Sequence, residues 1–150
     1  NGDVFEGEFI AGKRSGRGVY FYSNGDVYSG QWLGNFRDGF GEMKLKKKGL
    51  YRGTFQNSQK HGEGKMKYLN GDHYSGQWKY GRRHGKGVYY YAGTQQRLEG
   101  GWSKGAITEG SWILPGGVRF EGNFEENVPV GEGRWVLGNG QIVNGEFVRK

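Results

Sequence analysis

A pattern of aromatic-x-Gly-x-aromatic returns along the 150-residue chain at almost constant spacing. It stands as Phe5-Glu6-Gly7-Glu8-Phe9, Tyr28-Ser29-Gly30-Gln31-Trp32, Tyr51-Arg52-Gly53-Thr54-Phe55, Tyr74-Ser75-Gly76-Gln77-Trp78 and Phe120-Glu121-Gly122-Asn123-Phe124. Weaker copies are Leu98-Glu99-Gly100-Gly101-Trp102 and Val143-Asn144-Gly145-Glu146-Phe147. Successive copies start 23, 23, 23, 24, 22 and 23 residues apart. A Gly-x-Gly follows at a fixed offset, as Gly16/Gly18, Gly39/Gly41, Gly62/Gly64, Gly85/Gly87 and Gly131/Gly133, and is replaced once by Thr108-Glu109-Gly110. A period this short requires stacked units, none of which buries its apolar face alone.

Glycine spacing then selects the secondary structure. The longest glycine-free runs, Thr54–His61 and Asn123–Val130, are eight residues each. An interior glycine costs a helix ~1 kcal/mol, so helices are excluded almost everywhere. A flexible Gly-rich linker is excluded by the 5 Trp, 10 Tyr and 9 Phe. Each repeat reads as two strands. Aromatic-x-Gly-x-aromatic forms the first, a turn such as Gly12-Lys13-Arg14 follows, and the second strand runs on from Gly-x-Gly. Asn24-Gly25-Asp26 and Asn70-Gly71-Asp72 lead to the next repeat; Asn-Gly signals a hairpin in which both turn residues adopt positive φ.

Alternation assigns the two faces of each strand. One face carries Tyr20, Met43, Met66, Tyr89, Trp112 and Trp135, and two residues on it carries Tyr22, Leu45, Tyr68, Tyr91, Leu114 and Leu137. The glycines share this parity and are expected to make room for large side chains of neighbouring repeats. The other face varies: Val19 and Phe21, Glu42 and Lys44, Lys65 and Lys67, Val88 and Tyr90, Ser111 and Ile113, Arg134 and Val136. The expectation is an all-β chain, an extended single-layer antiparallel sheet of stacked hairpins. Its bounds are a half-unit at 1–4, repeats at 5–27, 28–50, 51–73, 74–97, 98–119 and 120–142, and a half-unit at 143–150.

The Tyr-x-Gly-x-Trp, Gly-x-Gly and Asn-Gly-Asp elements at this spacing resemble MORN repeats over the whole chain. The resemblance implies stacked antiparallel hairpins and a non-catalytic role. Ala92-Gly93-Thr94, Thr108-Glu109-Gly110 and Asn127-Val128-Pro129-Val130-Gly131-Glu132-Gly133 are similar to the C-terminal repeats of the MORN-repeat radial spoke head proteins of cilia.

Catalytic and cofactor chemistry finds little purchase. Gly81-Arg82-Arg83-His84-Gly85-Lys86-Gly87 lacks Walker A spacing and precedes a strand, so no helix N-terminus faces an anion. His61 and His84 occupy one repeat position, and equivalent strands two spacings apart stand ~9.6 Å from each other, far for a shared metal. His73 has no evident acid partner, and Glu125 and Glu126 fall in a turn. The chain has no cysteine, which excludes disulfides and thiolate zinc sites. The reading is no enzyme, no cofactor and no metal. No apolar stretch is long enough to span a membrane as a helix. No secretory signal precedes Asn1-Gly2-Asp3, which reads as cut from something longer.

Charge is asymmetric. Residues 1–92 hold 16 Lys and Arg against 8 Asp and Glu, and residues 93–150 hold 6 against 7. A basic patch is expected from Lys44, Arg52, Lys65 and Lys67 on the variable face, with Lys46, Lys47 and Lys48 on one rim and Arg82 and Arg83 on the other. Five cations at an anionic leaflet give ~5 kcal/mol, or a Kd near ~0.2 mM, enough to assist recruitment but not to anchor. Nucleic acid is disfavoured because most aromatics belong to the buried ladder, Phe21 and Tyr90 being the main exceptions. Partner-binding residues are expected to be Val19, Phe21, Val88, Tyr90, Ile113 and Val136. The function read from these features is a protein-binding scaffold in the cytoplasm, in the axonemal radial spoke head of a cilium or flagellum. The alternative is a phosphoinositide-assisted membrane tether or cytoskeletal adaptor with weak anionic-lipid contact. The N-terminal strand edge is expected to pair into a homodimer, while the basic Arg149-Lys150 end resists pairing.

Overall fold

The computed structural model describes residues 1–148. All regular structure in it is strand, and consecutive strands pair antiparallel in one open sheet ordered β1 to β13. The first strands are β1 (Val4–Ile10), β2 (Lys13–Phe21), β3 (Val27–Leu33), β4 (Phe36–Leu45), β5 (Gly49–Gln56) and β6 (Gln59–Tyr68). There follow β7 (His73–Lys79), β8 (Arg82–Tyr91), β9 (Gln96–Ser103), β10 (Ala106–Ile113), β11 (Arg119–Glu125), β12 (Val128–Val136) and β13 (Ile142–Phe147). The chain forms two compact units. The first is Asn1–Leu69 with Trp78–Gly81, and the second is Asn70–Gln77 with the described residues from Arg82 onward. The expected last half-unit, 143–150, and its basic end run beyond the described residues.

The turns inside the repeats differ from expectation. They are the two-residue pairs Ala11-Gly12, Gly34-Asn35, Asn57-Ser58, Tyr80-Gly81, Lys104-Gly105 and Glu126-Asn127, all with positive φ at both positions. That is the type I′ geometry, whose twist matches the flanking strands. Lys13 and Arg14, expected in the turn, are already in β2. The Asn-Gly turns between repeats are wider. At residues 22–26 only Gly25 has positive φ, the Gly25 N–H donates to Tyr22 O at 3.0 Å, and the Asp26 N–H donates to Asn24 Oδ1 at 2.9 Å. Asparagine here caps the next residue instead of adopting a left-handed conformation.

Each Gly-x-Gly does two jobs. The first glycine bends a bulge, as Gly39 at φ 94° does between the pairs Gly30↔Gly41 and Trp32↔Arg37. Gln31 Oε1 accepts from the freed Phe40 N–H at 2.9 Å, and Gln77 Oε1 does the same for Lys86 at 2.9 Å. The second glycine faces other glycines across the sheet, as in Gly18↔Gly30, Gly30↔Gly41, Gly41↔Gly53 and Gly53↔Gly64. The ring of Tyr28 lies along this bare strip, and a Cβ on Gly41 would collide with it. The glycines therefore make room for the tyrosine of their own hairpin, not for the neighbouring repeats as expected. Tyr28, Tyr51 and Tyr74 are completely buried and donate to Gln31 O, Thr54 O and Gln77 O at 2.8–2.9 Å. Burial pushes the Tyr28 hydroxyl up to about 12. The tryptophans tie each repeat to the previous one, through Nε1–H donation from Trp32 to Gly18 O, Trp78 to Gly64 O and Trp102 to Gly87 O.

Aspartate of the Asn-Gly-Asp turn fastens the next repeat. Asp72 Oδ2 accepts from the Tyr89 hydroxyl at 2.8 Å and Oδ1 from the Ala92 N–H at 2.9 Å. Asp3 holds Tyr20 and Ser23 in the same way. Burial opposes the Asp72 charge, but the bonds from Ala92 and Tyr89 outweigh it and hold the carboxyl below its ordinary range.

Candidate partner-binding surface

One end of the buried ladder is closed by cations. The Arg14 guanidinium lies 5.7, 5.1 and 5.0 Å from the ring centres of Phe5, Tyr20 and Trp32. Arg83 lies 5.9, 5.0 and 5.3 Å from Tyr74, Tyr89 and Trp102. Arg37 covers Tyr22, Tyr28 and Phe55, and Lys60 covers Tyr51 and Trp78. All lie within the ~6 Å over which a ring quadrupole attracts a cation. The guanidinium groups also donate to turn carbonyls of the following repeat: Arg14 to Asn35 O, Arg37 to Ser58 O and Arg83 to Gly105 O. Arg83 is thus part of the architecture, not the rim decoration expected from sequence. Its neighbour Arg82 is exposed.

The opposite face of the first compact unit runs Val4, Phe21, Val27, Lys44, Leu50 and Lys67 in successive register. Beside that row run Glu6, Val19, Ser29, Glu42, Arg52 and Lys65. Phe21 is exposed and Val19 half-buried. In the second compact unit Val88 pairs with Glu99, and Ile113 is half-buried between Arg97 and Arg119. Tyr90 is half-buried, its ring stacked on His73 at 4.8 Å. Val136, expected to offer partner surface, is only 9% exposed in its place between Arg119 and Ile142. Side chains of adjacent strands cover it, so it is withdrawn from that set.

Sequence reasoning passed over a cluster of exposed apolar residues of this face. Leu33, Phe36 and Phe40 are 63%, 51% and 56% exposed. Leu33 and Phe36 pair across the turn, and Phe40 pairs with Thr54. Phe36, Phe40 and Tyr80 are all largely exposed, so Phe21 and Tyr90 are not the main aromatics outside the ladder. The signal for Phe40 was present in its place between Gly39 and Gly41, because the middle residue of Gly-x-Gly has the parity of the variable face.

Of the basic residues, Lys44, Arg52, Lys65 and Lys67 come together around Leu50, and Leu50, Arg52, Lys65 and Lys67 line a small depression of about 160 Å³. Arg52 Nε is 2.9 Å from Glu42 Oε2, which offsets part of the charge. Lys46, Lys47 and Lys48 are exposed between β4 and β5, with the Lys46 N–H donating to Asp26 Oδ1 at 3.0 Å. In the second compact unit the variable face carries both charges. Glu121 receives Arg119 and Arg134 at 2.7 Å each, and these bonds hold its carboxyl below the usual range. Glu121, Glu132 and Glu146 line an open trough of about 800 Å³. Among the described residues, no three His, Asp or Glu side chains stand together as a metal-binding group.

A hairpin stack with a constant aromatic spine and a variable outer face defines a repeat scaffold. The family model described as MORN repeat matches residues 5–27, 28–48, 51–73, 74–93 and 120–142, and the chain belongs to that family. MORN repeats are protein- or membrane-binding scaffold modules. No curated protein matches the chain.

Proposed function

We propose that this chain is a non-catalytic, protein-binding scaffold of the axonemal radial spoke head, working on the cytoplasmic side of a cilium or flagellum. The observation that carries the protein-binding part is the exposed Leu33, Phe36 and Phe40 on the variable face. Large apolar side chains held on a rigid sheet lose little freedom on docking, and aromatic anchors dominate interface energies. The spoke head is supported by the resemblance of the irregular repeats from Ala92 onward to that group. A second reading, a phosphoinositide-assisted tether, is favoured by the cations gathered around Leu50.

Two variants separate them. One replaces Phe36 and Phe40 by serine, and the other reverses charge at Lys44, Lys65 and Lys67. The tagged full-length protein is expressed in ciliated cells, and its incorporation into detergent-extracted axonemes is measured beside its binding to phosphoinositide vesicles. On the scaffold reading, the serine variant stays folded and leaves the axoneme, whereas the charge variant mainly slows association. A serine variant that still incorporates, together with a charge variant that releases vesicles, overturns the scaffold in favour of the tether.

A further inference from the structure

The cation that closes the ladder is missing from the fifth repeat. The position held by Arg14, Arg37, Lys60 and Arg83 falls there on Ile107, which pairs with Trp102 as Arg37 pairs with Trp32. Ile107 is almost wholly buried, and its side chain has no donor to reach the following turn as its arginine counterparts do. The second compact unit holds a cavity of about 220 Å³. Tyr91, Leu98, Trp112 and Asn127 line it. By repeat position they correspond to Tyr22, Tyr28, Met43 and Ser58, four of the five residues around the Arg37 guanidinium, the fifth being Phe55. Gln96, Val128, Pro129 and Phe147 complete the wall.

We propose that this cavity receives the guanidinium of an arginine side chain presented by a protein partner. The chemistry is that of the repeat itself. Arg37 Nη1 donates to the Tyr22 hydroxyl at 2.7 Å and Nη2 to Ser58 O at 2.6 Å, against the face of Tyr28. An incoming guanidinium meets the Tyr91 hydroxyl and the Asn127 turn as Arg37 meets Tyr22 and Ser58, while the aromatic face comes from Trp112 at the Met43 position, since Leu98 replaces Tyr28. Gln96 Oε1, which accepts from Trp112 Nε1 at 3.0 Å, orients that ring and keeps a lone pair for a donor. The volume is below the ~300 Å³ at which drug-sized sites begin, and suits one side-chain head. Planar, weakly hydrated guanidinium stacks on aromatic faces more readily than ammonium does. Arg83 in the preceding repeat does not forbid a second cation, since Arg14 and Arg37 occupy this position in successive repeats.

The inference takes its arginine from the protein-binding reading, but its test does not depend on the spoke. The whole chain is titrated with the capped peptide Gly-Arg-Gly and with the uncharged isostere Gly-citrulline-Gly. The Trp112 indole N–H resonance and saturation transfer to the peptide side chain are followed. The arginine peptide is expected to move the Trp112 signal saturably with a Kd on the order of 1 mM, and the citrulline peptide to bind at least ~10-fold more weakly. Ile107→Arg supplies the cation internally, and should lose the arginine peptide by at least ~10-fold while its thermal midpoint rises. Trp112→Leu, which removes the ring but keeps an apolar side chain, should lose it to the same degree and covers the case in which Ile107→Arg fails to fold. Equal response to the two peptides, no saturation up to ~20 mM, or undiminished binding in a folded variant overturns the proposal. Failure of the unsubstituted chain to enter axonemes, with arginine binding intact, instead refutes the spoke reading and leaves this one standing.

Discussion

Substituting Gly41 by alanine tests whether the glycine strip exists for the tyrosine rings. Gly41 has no positive φ, so alanine is allowed by the backbone. The three atoms nearest to a Cβ there all belong to the Tyr28 side chain. The ring must therefore move, losing its hydrogen bond to Gln31 O and part of its packing. Overpacking costs ~1–3 kcal/mol and the lost bond ~1 kcal/mol, so Gly41→Ala should destabilise by ~2–4 kcal/mol. Tyr28→Ala should cost ~3–5 kcal/mol by itself, because the ring is completely buried. With the ring gone the new methyl group has space. The double variant should thus be more stable than the sum of the single effects by ~2 kcal/mol, well outside the ~0.5 kcal/mol scatter of additive pairs. Gly30→Ala is the control. Its Cβ would lie 2.5 Å from Gly41 Cα and 2.7 Å from Phe40 O, which are backbone atoms that removing Tyr28 does not clear. Urea unfolding of the full set, with m-values compared to detect loss of a single transition, gives the cycle. Coupling below ~0.5 kcal/mol at Gly41, or equal rescue of Gly30→Ala, refutes the ring-accommodation argument.

Trp78→Ala should destabilise by ~3–5 kcal/mol and Ser75→Ala by under ~0.5 kcal/mol in the same assay, because Trp78 is buried against Tyr51 and Ser75 faces outward. Asp72→Ala leaves the Tyr89 hydroxyl and the Ala92 N–H without their acceptor and should cost ~1–3 kcal/mol. The Asp72 carboxyl is depressed in the folded state, so its contribution is present above the unfolded value of ~3.9 and is lost as pH falls through the folded value. Acid unfolding of Asp72→Asn should lack that loss, and a profile parallel to the parent's would show the bonds do not favour the charge. Burial lowers the Lys60 ammonium below its ordinary value of 10.5, so stability should rise with pH between the lowered folded value and that limit. Lys60→Met should abolish this alkaline rise in thermal midpoint, and its persistence would place the titration elsewhere.

Hairpin stacking and the buried parity were legible in the chain because each depends on short-range regularity. Alternation with period two separates the faces of a strand, and a glycine column repeated every 23 residues leaves no other architecture for so many aromatics. Tyr28, Met43, Tyr51, Met66, Tyr74 and Trp78 are buried where that parity puts them. Turn geometry was read less well, since Ala11, Tyr80 and Glu126 adopt positive φ only because the two strands they join are already paired.

What tertiary structure alone decided concerns side chains whose surroundings come from several strands at once. Arg82 and Arg83 are adjacent and chemically identical, yet only Arg83 lies on the aromatic rings, because strand alternation aims it at the ladder. Val136 has the parity of an exposed residue and is covered by the strands on either side. The cavity beside Trp112 needs residues from three repeats, where Leu98 and Ile107 stand in positions that carry tyrosine and arginine in the fourth repeat. In sequence these are two exchanges of a polar side chain for a shorter apolar one. In the folded sheet they shorten facing side chains from neighbouring strands together, and close packing cannot refill the volume because the backbone spacing is held by the hydrogen-bonded ladder.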